Sequence, residues 1–137
     1  MSDLVLDASV AMCWLFEDQA TAYTDSILDR LAGGQQARAP AIWPFEIGNV
    51  LVVAERRKLI TPAQSAAFLA ATSELPIRTA HNGVDRAVRE VFEIARRYRL
   101  SVYDASYLEL AMRESLALAT VDEPLRAAAR AARVQLA

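Results

Sequence analysis

The chain has one cysteine and one histidine among its 137 residues, and this scarcity removes whole classes of chemistry. A lone cysteine cannot form an internal disulfide. Cys13 lies in the apolar run Ala11-Met12-Cys13-Trp14-Leu15-Phe16, where it reads as a small buried side chain. Cys13 and His81 together cannot build a Cys/His zinc site, nor a Cys-His dyad with an orienting partner at the usual spacing. A glycine-rich phosphate loop with its lysine is missing, which excludes a P-loop enzyme. No stretch of apolar residues is long enough to span a bilayer, and the start Met1-Ser2-Asp3 lacks the basic and apolar regions of a secretory signal. A soluble, cytoplasmic protein with no membrane partner is expected. Positive charge is not in excess either: 15 Lys and Arg against 17 Asp and Glu give a net charge of −2, so the surface as a whole is not an electrostatic footprint for nucleic acid. Local basic clusters remain at Arg56-Arg57-Lys58, Arg96-Arg97-Arg99 and Arg126-Arg130-Arg133. Each falls late in an expected helix, where cations also complement the helix dipole.

What is present is apolar content, 54% of the residues, ample for one continuous core in a chain of this size. One domain over 1–137 is expected, with no linker, repeat or low-complexity segment to divide it. Leu4-Val5-Leu6 reads as a buried strand that ends at Asp7-Ala8-Ser9 in a helix cap. Helical sequence follows to Leu31 with a break near Glu17-Asp18, and Gly33-Gly34 ends it. A second short strand is expected around Ala37 to Ala41. Pro44 then opens a helix through Phe45 to Lys58. Thr61-Pro62-Ala63-Gln64 is a capping box for a helix to about Glu74. Pro76 to Thr79 suggests a third strand. Asn82 is placed to cap a helix whose apolar face, Val84, Val88, Val91, Phe92 and Ala95, reads as core. Ser101 to Glu114 is a further helix, Leu116 to Thr120 a buried strand, Asp122 to Ala132 an alanine- and arginine-rich helix, and Val134 to Leu136 a last edge strand. Short strands alternating with helices imply crossovers, hence a three-layer α/β/α domain with a short, mainly parallel sheet.

Four carboxylates stand out against this background. Asp7 ends the first strand and Asp122 follows the strand through Thr120; in open parallel sheets, ligands bind beyond the carboxyl ends of strands. Glu46 lies in Trp43-Pro44-Phe45-Glu46-Ile47-Gly48-Asn49-Val50, a helix apolar on almost every side, and Asn49 nearly one turn on shares its direction. Asp104 lies in Ser101-Val102-Tyr103-Asp104-Ala105-Ser106. A capping role is open for several of these: Ser101-x-x-Asp104 fits a capping box, Asp122 fits an N-cap before Glu123-Pro124, and Asp7 can cap the helix that Ser9 opens. If the four converge, they repel one another unless protons or a cation compensate. Oxygen ligands without histidine or cysteine favour Mg²⁺ or Mn²⁺, which bind through a few carboxylates, waters and substrate phosphate.

The order and setting of these residues resemble a PIN domain, and most closely the VapC-type toxins of bacterial toxin–antitoxin pairs. The matching segments are Val5-Leu6-Asp7-Ala8-Ser9, Glu46-Ile47-Gly48-Asn49-Val50-Leu51, Tyr103-Asp104-Ala105-Ser106-Tyr107-Leu108-Glu109-Leu110-Ala111, and Thr120-Val121-Asp122 with Leu125 and Ala128. The resemblance spans nearly the whole chain and rests on the four segments in this order. It implies a metal-dependent endoribonuclease, usually a homodimer, held inactive by a cognate antitoxin whose tail crosses the active-site groove. Carried over by position, Asp7, Glu46, Asp104 and Asp122 are the acidic, metal-binding and catalytic set, with Glu123 standing beside Asp122 at the family's variable last position. Ser9, Asn49 and Thr120 are the supporting polar residues. A bound Mg²⁺ or Mn²⁺ would polarise a phosphodiester and lower the pKa of water, giving hydrolysis of RNA to a 5′-phosphate and a 3′-hydroxyl.

Two rivals can be weighed on residues. Phosphatases of the haloacid-dehalogenase kind also begin with strand then aspartate, but want a second aspartate two positions on, where this chain has Ser9. A non-catalytic PIN-like module binding RNA or protein, its acids serving as caps, would be favoured by the loss of any of the four carboxylates. None is lost.

Overall fold

In the computed structural model, which describes residues 2–81 and 83–137, Leu4–Leu6 form strand β1 with all three side chains in the core. A strand buried on both faces is what a continuous apolar run favours. Around it are β2 (Ala37–Pro40), β3 (Ile77–Ala80) and β4 (Ala117–Ala119), in the order β3-β2-β1-β4 with every pairing parallel. The connecting helices are α1 (Ala8–Leu15), α2 (Ala22–Ala32), α3 (Trp43–Arg56), α4 (Pro62–Ser73), α5 (Gly83–Arg86), α6 (Phe92–Tyr98), α7 (Val102–Glu114) and α8 (Glu123–Ala131). A π turn at Ala87–Val91 joins α5 to α6.

The strand order explains the layers. From β1 to β3 the chain steps outward in one direction, and from β3 to β4 it returns across the sheet to the far side of β1. Crossovers of one hand that run in opposite directions place their helices on opposite faces. The three-layer α/β/α arrangement follows, with α7 packed across β1, β2 and β4. Ala105 through Ala111 are consequently all buried. Glu109, only 3% exposed, lies within that stretch and is paired with Arg113 at 2.9 Å and Arg86 at 3.1 Å, as a buried charge requires.

Local signals explain most boundaries. Thr61 and Gln64 form the reciprocal capping box of α4, and Thr21 with Thr24 forms another at α2. Pro44 occupies the first turn of α3. Cys13 is buried, its thiol donating to the Ser9 carbonyl at 3.4 Å. The expected cap at Asn82 lies outside the described residues.

Three expectations are corrected. Helix α3 is not buried on most sides: only Trp43, Ile47, Leu51 and Ala54 are in the core, and Phe45 and Val52 face solvent. The expected last strand is a single parallel bridge between Leu118 and Leu136. The apolar face expected from Val84 to Ala95 splits in two. Val91 and Ala95 bury against Ala105, whereas Val84 and Val88 are 81% and 61% exposed, and Phe92 is exposed as well. Residues 84, 88 and 92 form one stripe and 91 and 95 another. The stripe that is buried is the one that meets Ala105 of α7.

This division is measurable. Val88→Ser should change unfolding free energy by less than about 0.5 kcal/mol, as exposed substitutions do, whereas Val91→Ser should cost roughly 1–3 kcal/mol. Equal costs in denaturant titration would show that the two stripes are wrongly assigned.

Candidate active site at the carboxyl edge of the sheet

The register of β1 on β4 builds the centre of this site. Leu6 pairs with Ala119 and the Asp7 N–H donates to the Ala119 carbonyl at 2.9 Å, so the next residues on each strand, Asp7 and Thr120, emerge side by side. This is also where the strand order reverses, the position at which open parallel sheets leave a crevice. Thr120 Oγ1 donates to Asp7 Oδ2 at 2.7 Å, and Ser9 Oγ donates to the same oxygen at 2.6 Å. The two hydroxyls are themselves held in place: Asp122 N–H donates to Thr120 Oγ1 at 3.0 Å and Val121 N–H to Ser9 Oγ at 3.2 Å. The Thr120 carbonyl accepts from Arg126 Nη1 at 2.6 Å, and that guanidinium lies over the Tyr23 ring.

The other acids reach the same edge on helix starts. Glu46 is in the first turn of α3 and Asp104 in the first turn of α7. Asp7 and Asp122 occupy the N-cap positions of α1 and α8. The charges of Glu46 and Asp122 reach Asp7, that of Asp104 reaches Glu46, and those of Asp7 and Asp122 reach Asp104. Asp7 is 4% exposed, and burial raises its pKa above the usual carboxylate range, partly offset by the Ser9 and Thr120 hydroxyls and reinforced by Glu46 and Asp122. Glu46 is raised by burial and by Asp104, against the lowering effect of a hydrogen bond from Tyr107. Asp104 is raised to about 6, first by burial and then by the charges of Asp7 and Asp122.

The capping readings are answered one by one. Asp122 does cap α8, accepting from Leu125 N–H through Oδ2 at 3.0 Å. Asp7 makes no side-chain cap bond. At α7 the cap is Ser101, whose Oγ accepts from Asp104 N–H at 3.0 Å. Ser9 and Thr120 both bond to Asp7. Asn49 instead lines a cavity with Glu46, and no hydrogen bond ties it to the acids among the described residues.

Tyr107 was not singled out by sequence reasoning, yet it donates to Glu46 Oε1 at 2.5 Å and is fully buried. Burial and the Glu46 bond push its phenol far above the ordinary value, so it stays a donor. The one signal for it was a tyrosine in a stretch destined for the core, where the hydroxyl needs a partner. Asp7 and Asp122 bond through Oδ2 and Glu46 through Oε1, so each keeps a second oxygen to offer.

These residues suit a hard cation in their chemistry: several carboxylate oxygens, mutually repelling, with hydroxyls as support. Among the described residues no group of three or more His, Cys, Asp or Glu side chains is arranged to hold a metal ion outright.

A small parallel α/β sheet with acids gathered at its reversal point defines the class of protein, and comparison with known families gives the family. Residues 4–131 match the PIN domain, and the chain belongs to the PIN domain family. Among solved structures it is similar to PAE2754 from Pyrobaculum aerophilum, at 20% identity over 93% of this chain and 79% of that one, with a TM-score of 0.72. It is similar to VapC20 from Mycobacterium tuberculosis, a sarcin-ricin loop cleaving toxin, at 16% identity over 92% and 95% of the two chains and a TM-score of 0.64. VapBC2 from Rickettsia felis, bound to a DNA fragment from its promoter, aligns at 12% identity over 98% and 96% with a TM-score of 0.70. None of the curated proteins is a match.

Two outcomes are expected of this geometry. Tyr107→Phe keeps the ring but frees Glu46, and should cost roughly 1.5–3 kcal/mol in thermal unfolding, the range for a hydrogen bond to a charged group. Asp104 has a folded-state pKa of about 6 against an ordinary 3.8, so the fold favours its protonated form. Its stabilising contribution is complete below pH 3.8 and is lost as pH rises through about 6. Asp104→Asn lacks that loss, so the variant should gain stability relative to wild type between about pH 4 and about pH 7 without added metal. A difference constant over that range would show that Asp104 does not sense its neighbours.

Proposed function

We propose that this protein is a Mg²⁺- or Mn²⁺-dependent endoribonuclease and the toxin partner of a toxin–antitoxin pair. One observation carries the reading: acids from four separate segments gather at the carboxyl edge of the sheet, where burial and neighbouring carboxylates raise the pKa of Asp7, Glu46 and Asp104. A fold gains no stability from such a cluster, so a ligand is the reason to keep it. Membership of the PIN family supports the nuclease class.

Asp7, Glu46, Asp104 and Asp122 would hold the ion. Bound there, it supplies Lewis acidity toward phosphate oxygens and water. The chain's own residues do the positioning. Ser9 and Thr120 fix the Asp7 carboxylate from one side, leaving Oδ1 for the ligand. Tyr107 fixes Glu46 in the same way. Asp122 caps α8 with one oxygen and offers the other. In the hydrolysis, a water oxygen bonds to phosphorus, the bond from phosphorus to the 3′ oxygen breaks, and the leaving oxygen takes a proton. A 5′-phosphate and a 3′-hydroxyl result.

A cognate antitoxin and a homodimer are the partners in this reading. Apolar side chains left outside the core, Leu59, Leu69, Val84 and Val88 among them, leave surface for association, and a similar fold occurs in the VapBC2 complex of Rickettsia felis. No helix among the described residues is long and apolar enough to cross a membrane. The second reading, a non-catalytic PIN-like binding module, draws on the cap that Asp122 does form and on the lack, among the described residues, of three or more acids arranged as a metal cage.

Incubation with total RNA separates the two. Cutting in Mg²⁺ or Mn²⁺, abolished by chelator, with 5′-phosphate ends, is the expected result. Asp7→Asn should eliminate it, and Thr120→Val, which removes a support for Asp7 and the acceptor of the Asp122 N–H, should reduce it roughly 10- to 100-fold. Undiminished cutting in chelator, or products ending in a cyclic phosphate, would overturn the reading; RNA binding without any cutting would establish the binding module.

A further inference from the structure

Arg126 stands at the wrong end of its helix for a residue that serves the helix dipole. It is the fourth residue of α8 (Glu123–Ala131), close to the end that repels a cation, whereas Arg130 occupies the last turn. The expectation that the arginines of this cluster complement a helix C-terminus therefore fails for Arg126. Arg130 pairs with Glu123 in solvent. Arg126 is half-buried, and among the described residues no carboxylate forms an ion pair with it. Its Nη1 donates instead to the Thr120 carbonyl at 2.6 Å, and its guanidinium lies 5.3 Å from the centre of the Tyr23 ring.

That carbonyl is one end of a rigid unit. The Thr120 C=O and the Val121 N–H belong to a single planar trans peptide group and point in opposite directions. The Val121 N–H donates to Ser9 Oγ at 3.2 Å, and Ser9 Oγ donates in turn to Asp7 Oδ2 at 2.6 Å. Arg126 and Ser9 therefore grip the two ends of one peptide plane. We propose that Arg126, braced on Tyr23, is a positioning residue of the active site: it fixes the Thr120–Val121 peptide, the peptide fixes the Ser9 hydroxyl, and the hydroxyl fixes the Asp7 carboxylate. The inference rests on the ribonuclease reading and adds a residue to its machinery. Thr120 is fully buried, so its carbonyl needs a partner, and Arg126 is the side chain that supplies one. A hydrogen bond from a cation is strong, and each donor in a chain of hydrogen bonds polarises the next. Here the chain runs from guanidinium to carboxylate, so positive charge acts on Asp7 Oδ2 without an ion pair that would compete for Oδ1. The brace is itself held. Tyr23 lies in the first turn of α2, which Thr21 and Thr24 cap, and the Trp14 indole donates to the Thr24 carbonyl at 2.9 Å. The Tyr23 hydroxyl has no hydrogen-bond partner among the described residues, so the face of the ring is what Arg126 uses.

The test measures the clamp in the full chain, first without a ligand and then with one. In chelator-treated protein, hydrogen exchange of the Val121 amide, followed by NMR, should quicken roughly 2- to 10-fold in Arg126→Gln, as it does in Ser9→Ala, while amides of β1 and β2 keep their rates. Titration with Mn²⁺, followed by electron paramagnetic resonance, should show affinity weakened roughly 10- to 100-fold in Arg126→Gln. Made on top of Ser9→Ala, the same substitution should weaken it by less than about 3-fold, because both act on one peptide unit. Arg126→Lys should recover the affinity only in part, since an ammonium lacks the planar fork and stacks less well. Tyr23→Phe should match wild type, and Tyr23→Leu should follow Arg126→Lys. In RNA cleavage the loss should fall on kcat and leave KM in place. Should Arg126→Gln not fold, Arg126→Lys and Tyr23→Leu carry the same comparisons. Unchanged exchange at Val121, an undiminished loss on the Ser9→Ala background, or a Tyr23→Leu protein that behaves as wild type would each overturn the proposal. So would a raised KM with unchanged Mn²⁺ affinity, which would make Arg126 a contact to RNA phosphate. Each of these can occur in a parent that binds Mn²⁺ and cuts RNA, and then the nuclease reading stands. A parent that does neither, with Val121 exchange still answering to Arg126, sinks the nuclease reading and leaves the clamp on Asp7.

Discussion

Like charges do not gather in a protein without something holding them, and here the holding is done by backbone. Each of the four acids stands at the start of a helix: Asp7 and Asp122 at N-caps, Glu46 and Asp104 in first turns. A helix N-terminus presents unpaired N–H groups and about half a positive charge. Four such ends aimed at one edge offset part of the repulsion between the carboxylates, though not all of it, since burial and mutual charge still leave Asp104 at about 6.

That convergence is a property of the topology more than of any one residue. In a sheet whose strands are all parallel, the carboxyl end of every strand hands the chain to a helix that must run back. Helices α1, α3 and α8 therefore begin at the same edge, after β1, β2 and β4. Helix α7 begins there too, because it runs back toward the start of β4. What the particular sequence adds is the in-step ending of β1 and β4, which turns two acidic strand ends into a bonded pair through Thr120.

How much of this could be read in advance follows from the range of each interaction. Asp7 and Asp122 were legible because an acid at or just beyond the end of a short apolar run is a local pattern. The sheet, its parallel character and the capping boxes were legible for the same reason. Tyr107 was not, because its partner Glu46 lies 61 positions away in the chain and nothing near the tyrosine announces it. The stripe of Val84, Val88 and Phe92 shows a different limit. Period tells which residues share a side of a helix and says nothing about whether another element comes to cover that side. Helix α3 misled in the same way, since apolar content without a neighbouring layer left Phe45 in solvent.

The bridge at Leu118 bears on how this chain behaves in company. Strand β4 is the outer strand of the sheet, and its middle residue turns both backbone groups away from β1. The Leu118 N–H is taken by the Gln135 carbonyl at 2.8 Å and its carbonyl by the Ala137 N–H at 2.9 Å. An open strand edge is a template on which another chain can add itself. Here residues 135–137 take up both outward backbone groups of Leu118, so no other strand can pair with β4 at its middle residue.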